Sequence, residues 1–322
     1  MEEDKAKIFI VLEEHLRDRY TYIIDKYNFE SYLVTNFGDL LLGSSIVKTF
    51  ERIHHREILE NEYKKLINWI KSRLQTKNVD QIYLSNSEGY VAHNFAIRLK
   101  KEFPEIKLVA LQHGVFSLSR IPKKSTRLVI NKTCKVLFGF YPIGIGFGGK
   151  IVDKYIVYND FYKKFLIDRH GWKENEVEVN FKFLKSDLYD KKIEGNKTKD
   201  TAVLLLQCLS KAKLCTDKDE SFLNTTTINY LSRKYKEVLI KEHPVYVNQE
   251  RFTLPSNCRY IDNLVDAFNQ STHAYSFMST ALLDAEIFDI ETFAIDSELI
   301  NCDKKIYELF KKTLSSENTI NI

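Results

Sequence analysis

Short runs of β-branched and aromatic residues alternate along the chain with charged segments of helical period. Each run can hand the chain to a helix that recrosses the sheet, so the alternation predicts βαβ units and an α/β fold with mainly parallel sheets. In the first half strands are expected at 8–12, 32–34, 81–84 and 108–111, with the longest helix over 46–75. In the second half they are expected at 154–157, 202–207, 237–240, 259–261, 273–277 and 292–295. The 322 residues suffice for two α/β domains or for one large one. Residues 138–149 hold five of the eleven glycines, as a crossing or mobile loop would. The boundary is therefore expected near Lys150, giving an acceptor-side domain at 1–150 and a donor-binding domain at 151–322, two Rossmann-like halves facing each other across a cleft. No internal repeat or low-complexity tract is visible, which removes solenoid and propeller architectures.

Hydrophobic residues make up 44% of the chain and charged residues 29%, an ordinary globular balance, so function has to reside in particular sites. A net charge of +4 falls well short of the basic footprint of a nucleic-acid binder, and no nucleic-acid partner is expected. Anionic small molecules and a membrane surface remain compatible with it. Cys134, Cys208, Cys215, Cys258 and Cys302 are scattered, with no CxxC pair and no zinc-spaced histidine cluster, and read as reduced, mostly buried thiols. The sequence opens Met1-Glu2-Glu3-Asp4-Lys5, which is acidic and lacks the apolar core of a signal peptide. Its longest apolar stretch, 136–147, is short and interrupted by Gly139, Pro142, Gly144 and Gly146. A cytoplasmic protein is expected, with any membrane contact peripheral and at the inner face. The aromatic, glycine-rich 138–149 beside Lys123, Lys124, Arg127 and Lys150 is either a surface for a lipid-linked acceptor or an anionic membrane, or a buried interdomain crossover.

In open α/β sheets ligands bind beyond the carboxyl ends of the strands, so residues just after each strand carry the functional reading. Lys241-Glu242-His243-Pro244 follows 238–240. A protonated His243 there can neutralise or protonate a departing phosphate, and Pro244 fixes the backbone beyond it; the alternative is a histidine that merely ends a strand. Ser279 and Thr280 stand where 276–285 changes from strand to helix, and two hydroxyls with free amides make either an anion site or an ordinary N-cap. Ser85-Asn86-Ser87-Glu88-Gly89-Tyr90 follows the strand ending at Leu84. Glu88 suits a general base for a hydroxyl and Gly89 permits close approach, or Glu88 simply favours the first turn of the next helix. Gln112-His113-Gly114 follows 108–111 and offers His113 as a base or ligand contact, with a satisfied buried histidine as the alternative. Glu13, Glu14 and His15, after the first strand, are reserve candidates for the cleft.

Asp217-Lys218-Asp219 has the spacing that can hold a divalent cation, but in the polar turn before a helix from Ser221 it reads as a cap, and no metal is expected. Residues 144–149 do not match GxGxxG, Gly43-Ser44-Ser45 lacks the rest of a P-loop, and no GxSxG elbow occurs.

The order of motifs resembles bacterial CMP-sugar-dependent sialyltransferases and polysialyltransferases of GT-B architecture. Those families carry an acidic residue before glycine in the first domain, then an HP pair, then paired Ser/Thr residues. Glu88-Gly89, His243-Pro244 and Ser279-Thr280 match in that order over roughly 200 residues, although Ser87 stands where the family usually has a second carboxylate. The resemblance implies that the acidic motif supplies the base, the HP histidine engages the CMP phosphate and assists its departure, and the hydroxyls bind the same phosphate. Gln112-His113-Gly114 also looks like related Kdo transferases and teichoic-acid glycerophosphotransferases, which keeps His113 open as the base. Residues 155–171, followed by charged residues and a short strand, resemble the start of the donor domain in these enzymes.

The implied activity is inverting transfer of a nonulosonic acid of the sialic or pseudaminic type, or of Kdo, from its CMP ester to a hydroxyl of a surface glycan or lipid-linked glycan, as in capsule or lipopolysaccharide biosynthesis. No cofactor is expected beyond the CMP-sugar substrate. The rivals are a CDP-glycerol or UDP/GDP-sugar transferase on the same fold, and a non-catalytic module that binds an anionic glycan or nucleotide.

Overall fold

The computed structural model describes residues 5–12, 17–34, 51–87, 89–112, 124–143, 150–195, 197, 200–212, 214–243, 246, 252–277, 279–301, 304–314 and 318–322. The chain divides into two compact units, Met1–Leu184 and Lys185–Ile322.

The first unit runs β1 (Ala6–Val11), α1 (Arg17–Lys26), β2 (Glu30–Leu33), α2 (Arg56–Leu74), β3 (Val79–Leu84), α3 (Tyr90–Glu102), β4 (Lys107–Leu111), α4 (Lys124–Phe138), β5 (Lys154–Val157), α5 (Asp160–His170), β6 (Val177–Val179) and α6 (Phe181–Leu184). Its strands pair in the order β2-β1-β3-β4-β5-β6, all parallel. The second unit runs α7 (Ser186–Lys191), β7 (Thr201–Leu205), α8 (Asp217–Lys234), β8 (Glu237–Lys241), β9 (Cys258–Tyr260), α9 (Leu264–Gln270), β10 (His273–Ser276), α10 (Ala281–Ile287), β11 (Glu291–Asp296), α11 (Lys304–Lys311) and β12 (Thr319–Asn321). Its order is β12-β11-β10-β7-β8-β9, again all parallel. This is the strand order of the doubly wound dinucleotide fold, with β7 as the first strand.

Crossover helices cover both faces of such sheets, so the inner strands are apolar at nearly every residue. All of β7 is buried, and so is β4 beyond its first residue. Local chemistry sets the helix ends. Asn159 caps α5 by accepting from Tyr162 N, and Gly171, at φ 70°, ends it in the left-handed conformation that glycine adopts without steric cost.

Three expectations are corrected. The boundary does not fall near Lys150, because β5 hydrogen-bonds to β4 and β6 to β5. The segment 155–171 and the short strand after it therefore complete the first sheet instead of opening the donor domain. The helix expected over 46–75 breaks at His55, whose φ −95° and ψ 20° lie off the helical values, and only 51–54 and α2 belong to the described residues. The helix expected from Ser221 starts at Asp217, because Thr216 and Asp219 form a reciprocal capping box. The three-residue edge strand β12 has no counterpart in the expected pattern; it is too short to show a period.

Candidate functional site

A parallel sheet whose order reverses leaves a crevice where two neighbouring strands send their chains to opposite faces. In the second unit that point lies between β7 and β10. The Ser276 hydroxyl donates to Leu205 O at 2.7 Å and ties the two strand ends together. On the other side of β7, Leu206 N donates to Lys241 O at 2.9 Å, which carries the pairing with β8 to its last residue. Two residues later His243 brings its Nε2 to 3.8 Å from Cys208 Sγ, a residue of the loop after β7. The strand-end location of His243 was legible in the sequence; its thiol neighbour, 35 residues away, was not.

Across the reversal, Ser279 is buried and its Oγ accepts from Ala281 N at 3.1 Å, so Ser279 caps α10. Thr280 occupies the cap position with helical backbone and makes no side-chain cap bond. The two hydroxyls are therefore unequal, one committed to the helix and one left for other contacts. Pro244 lies outside the described residues.

Two helices start beside this edge, and their electrostatics differ. The first turn of α8 holds Asp217, Asp219 and Glu220. Burial first, and then the charges of Glu220, Asp219 and Asp217, push the nearby Cys215 thiol up to about 11. The first turn of α10 holds only Asp284, which is buried and ion-paired with the buried Lys185. An anion is repelled at the first helix start and meets no net negative charge at the second. Asp217-Lys218-Asp219 keeps its role as helix start, with the Asp219 carboxylate 2.6 Å from the Thr216 hydroxyl.

Next to His243 lies a cavity of about 320 Å³ lined by Ser210, Lys211, Asp217, Glu220, Tyr246 and Phe252, with Ser221 at its edge. Tyr246 N donates to His243 O at 2.8 Å, and the Lys211 ammonium stands 4.2 Å from the Tyr246 ring centroid. Buried Glu220 accepts from Ser210 N at 2.7 Å, which fixes the loop after β7.

In the first unit the order reverses between β1 and β3. Ser85 is consumed structurally: its Oγ accepts from Leu12 N and its carbonyl from the Tyr20 hydroxyl, both at 3.0 Å. Asn86, at 1% exposure, has neither amide atom hydrogen-bonded. A buried amide without partners costs free energy unless something else satisfies it, so Asn86 marks a polar site that sequence reading passed over. Gly89 starts α3 at φ −66° and ψ 168°, a conformation open to any residue, so its backbone does not require glycine. Gln112 is fully buried and its Oε1 accepts from Tyr158 N at 2.9 Å; it ties the end of β4 to the chain after β5 and does not line an open cleft.

A second passed-over residue is His93 in α3. Its ring packs edge-on to Tyr141 at 4.9 Å between centroids, and neither nitrogen has a partner. Burial, aided by the charge of Lys135, lowers its pKa to about 4. Glu13, Glu14, His15, Glu88, His113 and Gly114 lie outside the described residues.

No family model and no curated relative matches the sequence. Solved structures do share the fold. UDP-N-acetylglucosamine 2-epimerase from Rickettsia bellii matches 97% of this chain and 88% of its own at 12% identity and a TM-score of 0.51. The glycotransferase of kitacinnamycin matches 99% and 86% at 9% identity and 0.53. Arabidopsis thaliana UGT89C1 complexed with UDP-L-rhamnose matches 99% and 85% at 7% identity and 0.53. With these likenesses, the two six-stranded parallel sheets have the GT-B fold of two Rossmann-like domains.

Proposed function

We propose that the chain is a glycosyltransferase that uses a nucleotide-activated sugar, with the donor phosphate held at the β7/β10 reversal of the second unit. The observation that carries this reading is the set of groups gathered there: the His243 imidazole, the Thr280 hydroxyl and a helix start whose one carboxylate is neutralised by Lys185. The adjoining cavity has room for a nucleoside, with Tyr246 and Phe252 for stacking and the carboxylates of Asp217 and Glu220 as acceptors for ribose hydroxyls. The donor's phosphate then lies on the uncharged side and its hydroxyl-rich part on the acidic side.

In this reading the acceptor hydroxyl attacks the anomeric carbon as the bond from that carbon to the phosphate oxygen breaks, inverting the centre. Glu88 or His113 takes the hydroxyl proton, and protonated His243 stabilises the departing phosphate or protonates it. The motif order Glu88-Gly89, His243-Pro244, Ser279-Thr280 supports a CMP-activated acidic sugar as donor and a glycan or lipid-linked glycan as acceptor. A UDP-sugar is the second reading, favoured by the UDP-sugar proteins among the similar folds.

Calorimetry with CMP, CDP, UDP and GDP separates them. A specific nucleotide at about 100 times its Kd raises stability by about 2.7 kcal/mol. CMP is expected to do so. Stabilisation by UDP alone replaces the donor assignment, and CMP binding without turnover of any CMP-sugar makes the chain a binding module.

A further inference from the structure

Helix α4 turns apolar side chains outward in a continuous band. Val129, Val136 and Leu137 are 63%, 83% and 66% exposed, and Phe138 at the helix end is exposed as well. Positions 129, 132, 133 and 136 form one helical stripe, and Lys132, Thr133 and Lys135 are exposed with it. The band is not a frayed end, because the opposite face is pinned. Asn131 Nδ2 donates to Ile143 O at 2.9 Å, its Oδ1 accepts from Ile143 N at 3.2 Å, and Cys134 is buried. Single exposed apolar residues are ordinary on a protein surface, whereas a contiguous group marks a place that something covers.

Charge identifies what covers it. Residues 106–152 contain eight lysines and arginines and neither aspartate nor glutamate, in a chain that otherwise mixes 48 basic with 44 acidic residues. Among the described residues Lys132 and Lys135 enter no ion pair; Lys135 lies over the Tyr141 ring at 4.7 Å. A second copy docked symmetrically on this face would bring lysines against lysines, which disfavours self-association. An anionic lipid surface meets both demands at once, with headgroups for the lysines and an acyl boundary for the valines and leucine.

We propose that α4 is a membrane-docking helix that lies on an anionic bilayer, with Val129, Val136 and Leu137 entering the headgroup–acyl boundary. Docking is independent of the transfer reaction and stands or falls without it. It also moves the expected membrane surface from the glycine-rich 138–149 to the helix before it. Among the described residues no helix is long and apolar enough to cross a membrane, so the contact is peripheral there.

The test is flotation of the whole chain with vesicles of equimolar phosphatidylcholine and phosphatidylglycerol, against phosphatidylcholine alone. The chain is expected to float with the anionic vesicles only and to be released by high salt. Val136→Glu with Leu137→Glu should lower partitioning at least about ten-fold. Lys132→Glu should lower it about five-fold or more. Both variants lie on the exposed face and should keep the parent's thermal melting; Lys132→Glu serves as the independent arm should the double variant melt early. Failure of the parent to float on anionic vesicles at low salt, or equal flotation of parent and variants, overturns the proposal. So does light scattering that shows a dimer dissolved by Val136→Glu with Leu137→Glu without any vesicle binding, since the face would then join two copies.

Discussion

The two sheets reverse their strand order once each, and the two reversals are furnished in opposite ways. At β7/β10 the side chains offer hydrogen-bond donors and a group that can carry positive charge: His243, the Thr280 hydroxyl and the Cys208 thiol. At β1/β3 the described residues offer a buried amide with no partner, Asn86, two residues before Glu88. The same topology thus prepares one edge for an anion and the other for a hydroxyl. Topology supplies the crevice, and a few side chains decide what enters it.

The comparison breaks first at Glu88. Glu88→Gln should lower transfer by about 10³-fold or more while CMP binding survives, because the donor phosphate is held in the second unit. Single-turnover transfer at saturating donor is the measurement, with His113→Ala beside it. Substantial activity in Glu88→Gln and none in His113→Ala would give the base to His113.

The neutral start of α10 depends on Lys185. Lys185→Met leaves Asp284 buried without its cation and should cost about 3 to 5 kcal/mol in urea unfolding, most of it regained when Asp284→Leu is added. An unchanged midpoint would mean that the pair does not set the electrostatics of that helix start.

Slightly smaller is the effect of His243→Ala. Loss of one preorganised contact at the departing phosphate should depress turnover by about 10² to 10³ at unchanged thermal melting. Near-normal turnover in a folded variant removes His243 from the mechanism.

Acid should weaken the first unit through His93. Its folded-state pKa of about 4 lies below the usual value of 6.5, so between those values the unfolded chain binds more protons than the folded one. Its contribution is complete above pH 6.5 and is lost as pH falls toward 4, a change on the order of 3 kcal/mol. Urea midpoints across that window should fall in the parent and stay flatter in His93→Leu.

The smallest effect sharpens the contrast from the hydroxyl side. Asn86→Ala removes an amide that nothing satisfies, so stability should hold or rise by about 1 kcal/mol. If Asn86 serves the acceptor, its KM should rise about ten-fold while donor binding stays constant. A clear fall in melting temperature with unchanged KM would make Asn86 a packing residue.

Strand positions were legible almost throughout, because a strand buried on both faces is an apolar run whatever its partners, as in β4 and β7. The boundary was not. The glycines of 138–149 look like a linker, and nothing local records that β5 pairs with β4. Among site residues, His243, Ser279 and Thr280 were legible because they follow strands directly. Cys208, Lys185, Asn86 and His93 were not, since their meaning comes from a distant partner or from having none.

The sequence by itself determined where strands and helices lie and how several helices begin, because caps and turns act over a few residues. Thr216 with Asp219 and Asn159 with Tyr162 are interactions of that range. Only the tertiary structure decided which sheet β5 and β6 join, which of two helix starts is free of net charge, and which buried polar groups stay unpaired. Strand pairing, desolvation and charge compensation depend on groups far apart in the chain, and these come together only when the sheets form.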